Sequence, residues 1–455
     1  MLYRALDTSS FYIIDSKRKP IKVIINYFNF KKQPKRAIPF TKSKKKHNIY
    51  YFNPYLIQLI AMHFPKLENH NLLLDIFENK NGVPNICEDL LFKTKNKTYF
   101  KASKKISQVN KDSSINSIKY IPGYLYATYR GEATSSTKVI RCIQEKGYAI
   151  DLEGVNQVES YIKKQFNRHS KNIKRSISKL DTCFNIRYSM YYGEIDKDLF
   201  DDLMQRLHQM IVQRFMQRNE TSESIVNWSE RCKRAYPLIK EKRACLFVIY
   251  DDKKPISISL NYNFNLIHFN YISSYDIDYA KFGLGHINIY KQLEWCIANH
   301  FNIFEMGWGT LDYKCRWSNN IYKFEHHLVF SKKSIPTIVY AYYTAVKIKV
   351  KSYLVSKNVH VYTRNIKNYL RFKNKQKKEL SYTTESIEKI YSPAEITKID
   401  HNLEAYSFLR KIVYDFLYSN TLHETKVTVY KIDNELSYIL DGGKSKQKVV
   451  LNKTI

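Results

Sequence analysis

Between Asp151 and Trp317 the apolar residues recur at regular spacings, and the spacing changes from helical to alternating and back. From Val155 to Leu180, Ile162, Phe166, Ile173, Ile177 and Leu180 recur at helical intervals, and Lys and Arg fill the opposite face. Residues 161–180 hold seven Lys/Arg and no acid, so this helix offers a basic surface. A second helix is expected from Asp198 to Arg218, with Leu203, Leu207, Ile211 and Phe215 as its buried stripe and Met204, Met210 and Met216 as core filling. Three strand-like runs follow. Ala244–Tyr250 is apolar, Asp251–Pro255 is a polar turn, and Ile256, Ile258 and Leu260 alternate with Ser257, Ser259 and Asn261, as in a half-buried strand. After residues 263–265 the chain returns through Ile267, Phe269, Tyr271 and Ser273. This predicts an antiparallel meander. A glycine-containing turn leads into a helix with Ile289, Leu293, Cys296 and Ile297 on one face, then a strand at Asn302–Met306 and Gly307-Trp308-Gly309.

The flanks are less regular. Residues 1–135 read as an accessory α/β region, with short apolar runs such as Ile21–Phe30, an exposed basic loop at Lys42–Lys46, a helical pattern from Pro54 to Ile60 and an apolar run at Leu72–Phe77. Residues 136–370 form the central domain, closed by a helix from Ile338 to about Tyr353 that packs back on it. Residues 371–384 read as a linker, basic over Arg371–Ser381, and residues 385–455 as a small α+β module. That module has a helix near Leu403–Tyr418 and strands at Lys426–Tyr430 and Glu435–Leu440. No internal repeat is evident.

A chain of 455 residues favours two or three domains, and 44% hydrophobic residues suffice for packed cores. The formal charge of +33 invites a nucleic-acid reading. The richness in Lys, Asn, Ile and Tyr, which share A/T-rich codons, is the preferred explanation, because charge alone speaks to solubility and loose association. The charge is also patchy. Residues 1–50 carry 13 Lys/Arg against Asp7 and Asp15, and residues 351–380 carry 9 against Glu379. Such runs suit peripheral contact with anionic lipid or glycan as well as nucleic acid. Cys87, Cys142, Cys183, Cys232, Cys245, Cys296 and Cys315 are scattered and never form a C-x-x-C pair, so neither a disulfide framework nor a metal site is expected. The start lacks the apolar run of a signal peptide, and Ile335–Val355 is interrupted by Lys347, Lys349 and Lys351, so no transmembrane segment is expected. The expectation is a reduced, cytoplasmic protein.

The order of elements carries the chemistry. A strand ending near Ser274 feeds a turn containing Gly283 and Gly285, and a helix begins at once. Glycines there let backbone approach a pyrophosphate, and the first N–H groups of the helix are unpaired donors with positive partial charge. A meander supplies this turn, not a βαβ unit, so a dinucleotide site is the poorer reading.

Tyr275-Asp276-Ile277-Asp278-Tyr279-Ala280-Lys281-Phe282-Gly283-Leu284-Gly285, then Phe304-Glu305-Met306-Gly307-Trp308-Gly309, then Asp312-Tyr313-Lys314-Cys315-Arg316-Trp317, resembles the GNAT superfamily. More narrowly it resembles the cellulose-biosynthesis-type acyltransferase branch of bacterial polysaccharide loci. That branch shows a Tyr-Asp…Tyr-Ala…Gly turn, an Asp-Phe-Gly-x-Gly strand end and a Tyr-Lys pair. The likeness reaches back more weakly to Asp151, including His208 and Arg214-Phe215, and covers less than half the chain. Two positions depart. Ala280 stands where the superfamily has Gln or Arg, with Lys281 as the substitute cation, and Glu305 replaces the branch's Asp.

The resemblance implies an α/β fold class: a GNAT-like mixed, mostly antiparallel sheet flanked by helices, here with an added N-terminal α/β region and C-terminal α+β module. It implies transfer of an acetyl or other acyl group from acyl-CoA to an amine by direct attack, without a metal. The backbone of Ile272, Ser273 and Ser274 would polarise the thioester carbonyl. Lys281, Phe282, Gly283, Leu284, Gly285 and His286 would bind the cofactor's phosphates. Tyr313 would serve as acid and Glu305 as base. Trp308, Lys314 and Arg316 would hold the acceptor, a small-molecule or glycan-precursor amine such as an amino sugar. Each has a plainer role open to it: Tyr313 as a packed aromatic, Glu305 paired with Lys314 or Arg316, His268 and His286 as structural histidines, Trp308 and Trp317 as core. Two further functions compete. One is aminoacyl transfer from tRNA as in Fem-type peptidoglycan transferases, with the basic helix holding RNA. The other is a non-catalytic protein that binds nucleic acid or a membrane surface on a degenerate GNAT fold.

Overall fold

A computed structural model describes residues 114–357 and 381–452, except 130–131, 133–135, 219–224, 310, 388–390 and 393, together with 8–14, 20–26, 66–73, 87–93 and 98–102. The basic loop at Lys42–Lys46, the helix at Pro54–Ile60 and nearly all of the linker at Arg371–Ser381 lie outside the described residues. The chain divides into two units, Met1–Phe64 and Pro65–Ile455. In the first, β1 (Thr8–Ile14) and β2 (Pro20–Asn26) pair as an antiparallel hairpin.

The second unit opens with β3 (Lys66–Asn71), β4 (Cys87–Lys93), β5 (Thr98–Ala102), β6 (Ser114–Ile121), β7 (Leu125–Tyr129) and the long β8 (Thr137–Asp151). The expected single helix at 155–180 is two: α1 (Val158–Phe166) and α2 (Ser170–Cys183), separated by one tight turn at Asn167–His169. The break falls at Asn167, whose φ of 49° a continuing helix cannot accommodate. After β9 (Ile186–Tyr191) comes α3 (Lys197–Gln217), begun where the Asp196 carboxylate accepts the N–H groups of Asp198 and Leu199. Leu203, Leu207 and Ile211 are buried as expected, with Met204 and Met210, but Met216 is 61% exposed. α4 (Trp228–Lys240) lies where no helix is expected from the sequence. It buries only Ala235, Leu238 and Ile239 and contains Pro237, so its apolar period is thin.

The meander is β10 (Ala244–Asp251), β11 (Lys254–Phe264) and β12 (Ile267–Tyr275), followed by α5 (Leu284–Ala298), β13 (Ile303–Trp308), α6 (Asp312–Trp317), β14 (Asn320–Ser331) and α7 (Ile335–Ser356). Nine strands form one sheet in the order β3-β6-β14-β8-β13-β12-β11-β10-β9. Among the described residues only β3–β6 and β12–β13 pair in parallel. The fold class is thus α/β with a large, mostly antiparallel sheet flanked by helices. The sheet draws β3 and β6 from the N-terminal stretch. β11 is not half-buried. Ser257, Ser259 and Asn261 are as buried as Ile256, Ile258 and Leu260, because α5 covers the polar face with Asn288 and Gln292. Residues of α3 and α4 share a core with β10–β12, and residues of α1 and α5 share another with β8 and β13. The Ala341 and Ala345 side of α7 packs with β8 and β14.

The C-terminal stretch forms a five-stranded sheet, β15 (Tyr382–Glu385), β16 (Ile396–Ile399), β17 (Thr428–Ile432), β18 (Ser437–Asp441) and β19 (Lys446–Leu451), in the order β15-β19-β18-β17-β16. Its helix α8 (Arg410–Asn420) shares one core with α2, β10 and the turn at Ile277–Phe282. Among the described residues no helix is long and apolar enough to cross a membrane.

Candidate functional site

β12 and β13 run side by side only briefly. Ile267, His268 and Phe269 pair with Ile303, Phe304 and Glu305, and there the pairing ends. Beyond it β12 keeps β11 as its neighbour as far as Tyr275, and β13 keeps β8. The two strands therefore diverge into a wedge. An extra residue, Tyr271, sits between the Leu260–Ile272 and Asn261–Asn270 pairs, and such a bulge bends a strand and raises its twist. Asn270–Tyr275 thus expose one backbone edge to the wedge. Among the described residues, the buried side-chain nitrogen of Asn270 and the hydroxyl of Ser274, 2% exposed, have no hydrogen-bond partner. Ser273 is exposed and Ile272 buried.

The glycine turn closes the wide end of β12. Asp276 starts it: its carboxylate, 4% exposed, accepts from Arg206 at 2.8 Å and Lys254 at 3.0 Å and caps the N–H of Asp278. Tyr279 is fully buried and donates to Asp251 at 2.7 Å. Gly283 has φ 71°, where a side chain would be strained, and its carbonyl accepts from His286 and Ile287. The preceding N–H groups of α5, those of Leu284 and Gly285, are left without helical acceptors. Gly285 is exposed, and a β-carbon there would lie 3.7 Å from the Tyr275 ring. Backbone donors at a helix N-terminus suit the phosphates of an acyl-CoA.

The other cofactor candidates divide. The side chains of Phe282 and Leu284 are wholly buried in the core, leaving only their backbone for a ligand. Lys281 is directed to α8, donating to the Asp415 carbonyl and the Ser419 hydroxyl, so it does not replace the cation missing at Ala280. His286 accepts from the Trp317 indole at 2.9 Å, and burial pushes its pKa down.

One cation does face the wedge mouth. Arg214 on α3 stacks over the Tyr275 ring at 4.2 Å, and burial lowers its pKa from the usual arginine value. Among the described residues its guanidinium has no hydrogen bond or ion pair. Tyr313 on α6 lies within its field. Burial raises the Tyr313 phenol and the charges of Arg214 and Arg218 draw it back. Arg214, Tyr275, Gly285 and Tyr313 thus gather at the mouth.

Glu305 occupies the vertex. It is fully buried and accepts from the Tyr124 hydroxyl at 2.7 Å and the Gly307 N–H at 2.6 Å. Burial raises its pKa to about 7, against the hydroxyls of Tyr124 and Tyr322, the Gly307 N–H and the Lys314 charge, which lower it. Lys314 spans the end of β13, donating to the carbonyls of Met306 and Trp308 at 2.7 and 2.6 Å. Burial pulls its pKa down to about 8. It is therefore committed to backbone. Trp308 stacks on Tyr120 at 4.1 Å, and Arg316 is exposed. Tyr124 and Tyr322 lie outside the motif, and nothing local distinguishes them among 38 tyrosines. Among the described residues no cluster of His, Cys, Asp and Glu is placed to hold a metal ion.

No curated protein matches the chain. Similar solved structures include a conserved protein of unknown function from Bacteroides thetaiotaomicron, 8% identical, covering 62% of this chain and 98% of that one with TM-score 0.39. They also include FemX (10% identical, 47% and 72% covered, TM-score 0.24) and a tandem GNAT protein from the clavulanic acid biosynthesis pathway (8%, 48% and 65%, TM-score 0.26). Residues 167–315, running from α2 through the meander, glycine turn and β13 into α6, match the family model described as an acetyltransferase (GNAT) domain, which supports the GNAT superfamily for this part of the chain.

Proposed function

We propose that the protein is an acyl-CoA-dependent N-acyltransferase, and the observation that carries the reading is the wedge between β12 and β13 with the N-terminus of α5 at its mouth. The N–H groups of Leu284 and Gly285 hold phosphate, and the free backbone edge of Ile272–Ser274 polarises the thioester carbonyl. The acceptor nitrogen attacks that carbon, a C–N bond forms and the C–S bond breaks. Glu305, with a pKa near neutrality, takes the amine proton through water, and Tyr313 gives its proton to the departing thiolate. Arg214 offers a desolvated cation for the phosphates or for an anionic acceptor. The likeness to the polysaccharide-locus branch favours an amino sugar of an envelope glycan, made on the cytoplasmic side where acyl-CoA is available.

Calorimetric titration with acetyl-CoA tests the reading. Wild type binds, and Gly285→Trp, placed in an exposed position, abolishes binding while the protein stays folded. Tyr313→Phe keeps the affinity and loses about 10²–10⁴ in turnover with an amino-sugar acceptor. Absence of binding to any acyl-CoA overturns the proposal. The basic surface of α1 and α2, with Lys171 and Arg175 exposed, supports the aminoacyl-tRNA alternative. Transfer from charged tRNA without acyl-CoA would establish it instead.

A further inference from the structure

Among the described residues, α7 buries one narrow face and leaves the opposite face exposed. Ala341 and Ala345 pack against the sheet with Ile338 and Ile348 beside them, and Thr337 is buried at the start of the helix. Ile335, Val339, Tyr342, Tyr343, Val346, Val350, Tyr353 and Leu354 are exposed, Ile335 by 75% and Val339 by 64%. At about 100° per residue these eight fall within roughly 120° of arc, on the side away from the buried alanines. Isolated exposed apolar residues are ordinary in proteins, but a continuous stripe along a helix of this length marks an interaction surface.

The charge around the stripe identifies the occupant. Between Ser331 and Lys357 there are six lysines (Lys332, Lys333, Lys347, Lys349, Lys351 and Lys357) and no acid. The helical period sets Lys349 on one edge of the stripe and Lys347 on the other, and the Lys138 amine stands 5.2 Å above the Tyr342 ring. Amphipathic tyrosines beside lysines on an apolar face suit the boundary between headgroups and acyl chains. The lysines also prevent α7 from spanning a bilayer.

From this geometry we infer that α7 lies flat on an anionic lipid surface, with its apolar stripe among the acyl chains and its lysines on phosphate headgroups. The inference is independent of the acyltransferase reading, since no residue of the wedge takes part.

Sedimentation of the full chain with vesicles tests it. The protein is expected to bind vesicles of phosphatidylglycerol mixed with phosphatidylcholine and to remain free with phosphatidylcholine alone. Replacing Lys347, Lys349 and Lys351 by Gln lowers partitioning about fivefold per lysine. Val346→Ser and Val350→Ser lower it by on the order of tenfold each. All five positions are exposed, so circular dichroism should stay unchanged. In a Tyr343→Trp variant, brominated acyl chains should quench the new indole above the level of wild type. Failure to bind anionic vesicles overturns the inference. So does binding that survives the serine variants, or an indole that vesicles do not affect because a second copy or residues 1–64 cover it.

Discussion

Glu305 stands at the last paired position of two diverging strands, where burial and hydrogen bonding compete over one proton. Its carboxyl titrates at about 7 instead of 4.5, so between those values the unfolded chain releases a proton that the folded chain keeps. Stability therefore falls as pH rises through that window, by roughly 3 kcal/mol for a shift of this size. Buried His268 and His326, lowered to about 4, act in the opposite sense: each withdraws stability as pH falls from 6.5 toward 4. Glu305→Gln removes only the first effect, so the variant should lose more stability than wild type on going from pH 7 to pH 5, measured by urea midpoints. Equal pH dependence in the two proteins would show that Glu305 does not titrate there. If Glu305 is also the base, Tyr124→Phe deletes a bond that favours the carboxylate and should move the rising limb of the pH–rate profile upward. Glu305 itself was legible in the sequence, either as a base or as a carboxylate paired with Lys314 or Arg316. Its partner Tyr124 was not, because 181 residues separate them and nothing local marks one tyrosine among many.

At the scale of elements, the polar face of β11 shows where periodicity stops informing. Alternation of Ile and Ser predicts one dry and one wet face, and the strand itself is where it was expected. The wet face is sealed by α5, where Asn288 accepts from Ser259 at 3.0 Å and donates to Ser257 at 3.1 Å. Gln292 faces His268 at 3.2 Å, and His268 meets Asn263 at 2.7 Å. The apolar stripe of α5 was readable from Ile289, Leu293 and Cys296, but matching Asn288 and Gln292 to serines on a distant strand requires the fold. Asn288→Leu is expected to leave the Ser259 hydroxyl hydrogen without an acceptor in a dry interface, costing about 1–3 kcal/mol, while Ser257 keeps its bond to the Ser274 carbonyl. Adding Ser259→Ala should restore part of the loss, since a missing hydroxyl needs no partner. A double variant no more stable than Asn288→Leu alone would show that hydrogen bonding is not the cause.

At the scale of the molecule, the C-terminal sheet and helix bear on the candidate site. The basic stretch before them suggests an independent module, yet their apolar side chains share a core with the glycine turn. Tyr414 packs on Tyr279 at 4.6 Å and on Phe184 at 5.0 Å, and Tyr418 meets Phe282 edge-on at 5.1 Å. Arg410 pairs with Asp278 at 3.9 Å, and Lys179 on α2 donates to the Tyr418 carbonyl at 2.7 Å. No periodicity within either segment carries this information, because each side of the contact reads as an ordinary amphipathic element. The turn that orients the first N–H groups of α5 is thus backed by α8, and loosening one should loosen the other. Tyr414→Ala removes a ring from this shared core and should cost about 3–5 kcal/mol. Well below its unfolding temperature, the variant should also bind acetyl-CoA more weakly, with faster hydrogen exchange at residues 277–287 and 410–420 together. A module that folded by itself would behave differently: calorimetry would resolve a second transition for residues 381–455, and Tyr414→Ala would shift that transition alone and leave acetyl-CoA affinity unchanged.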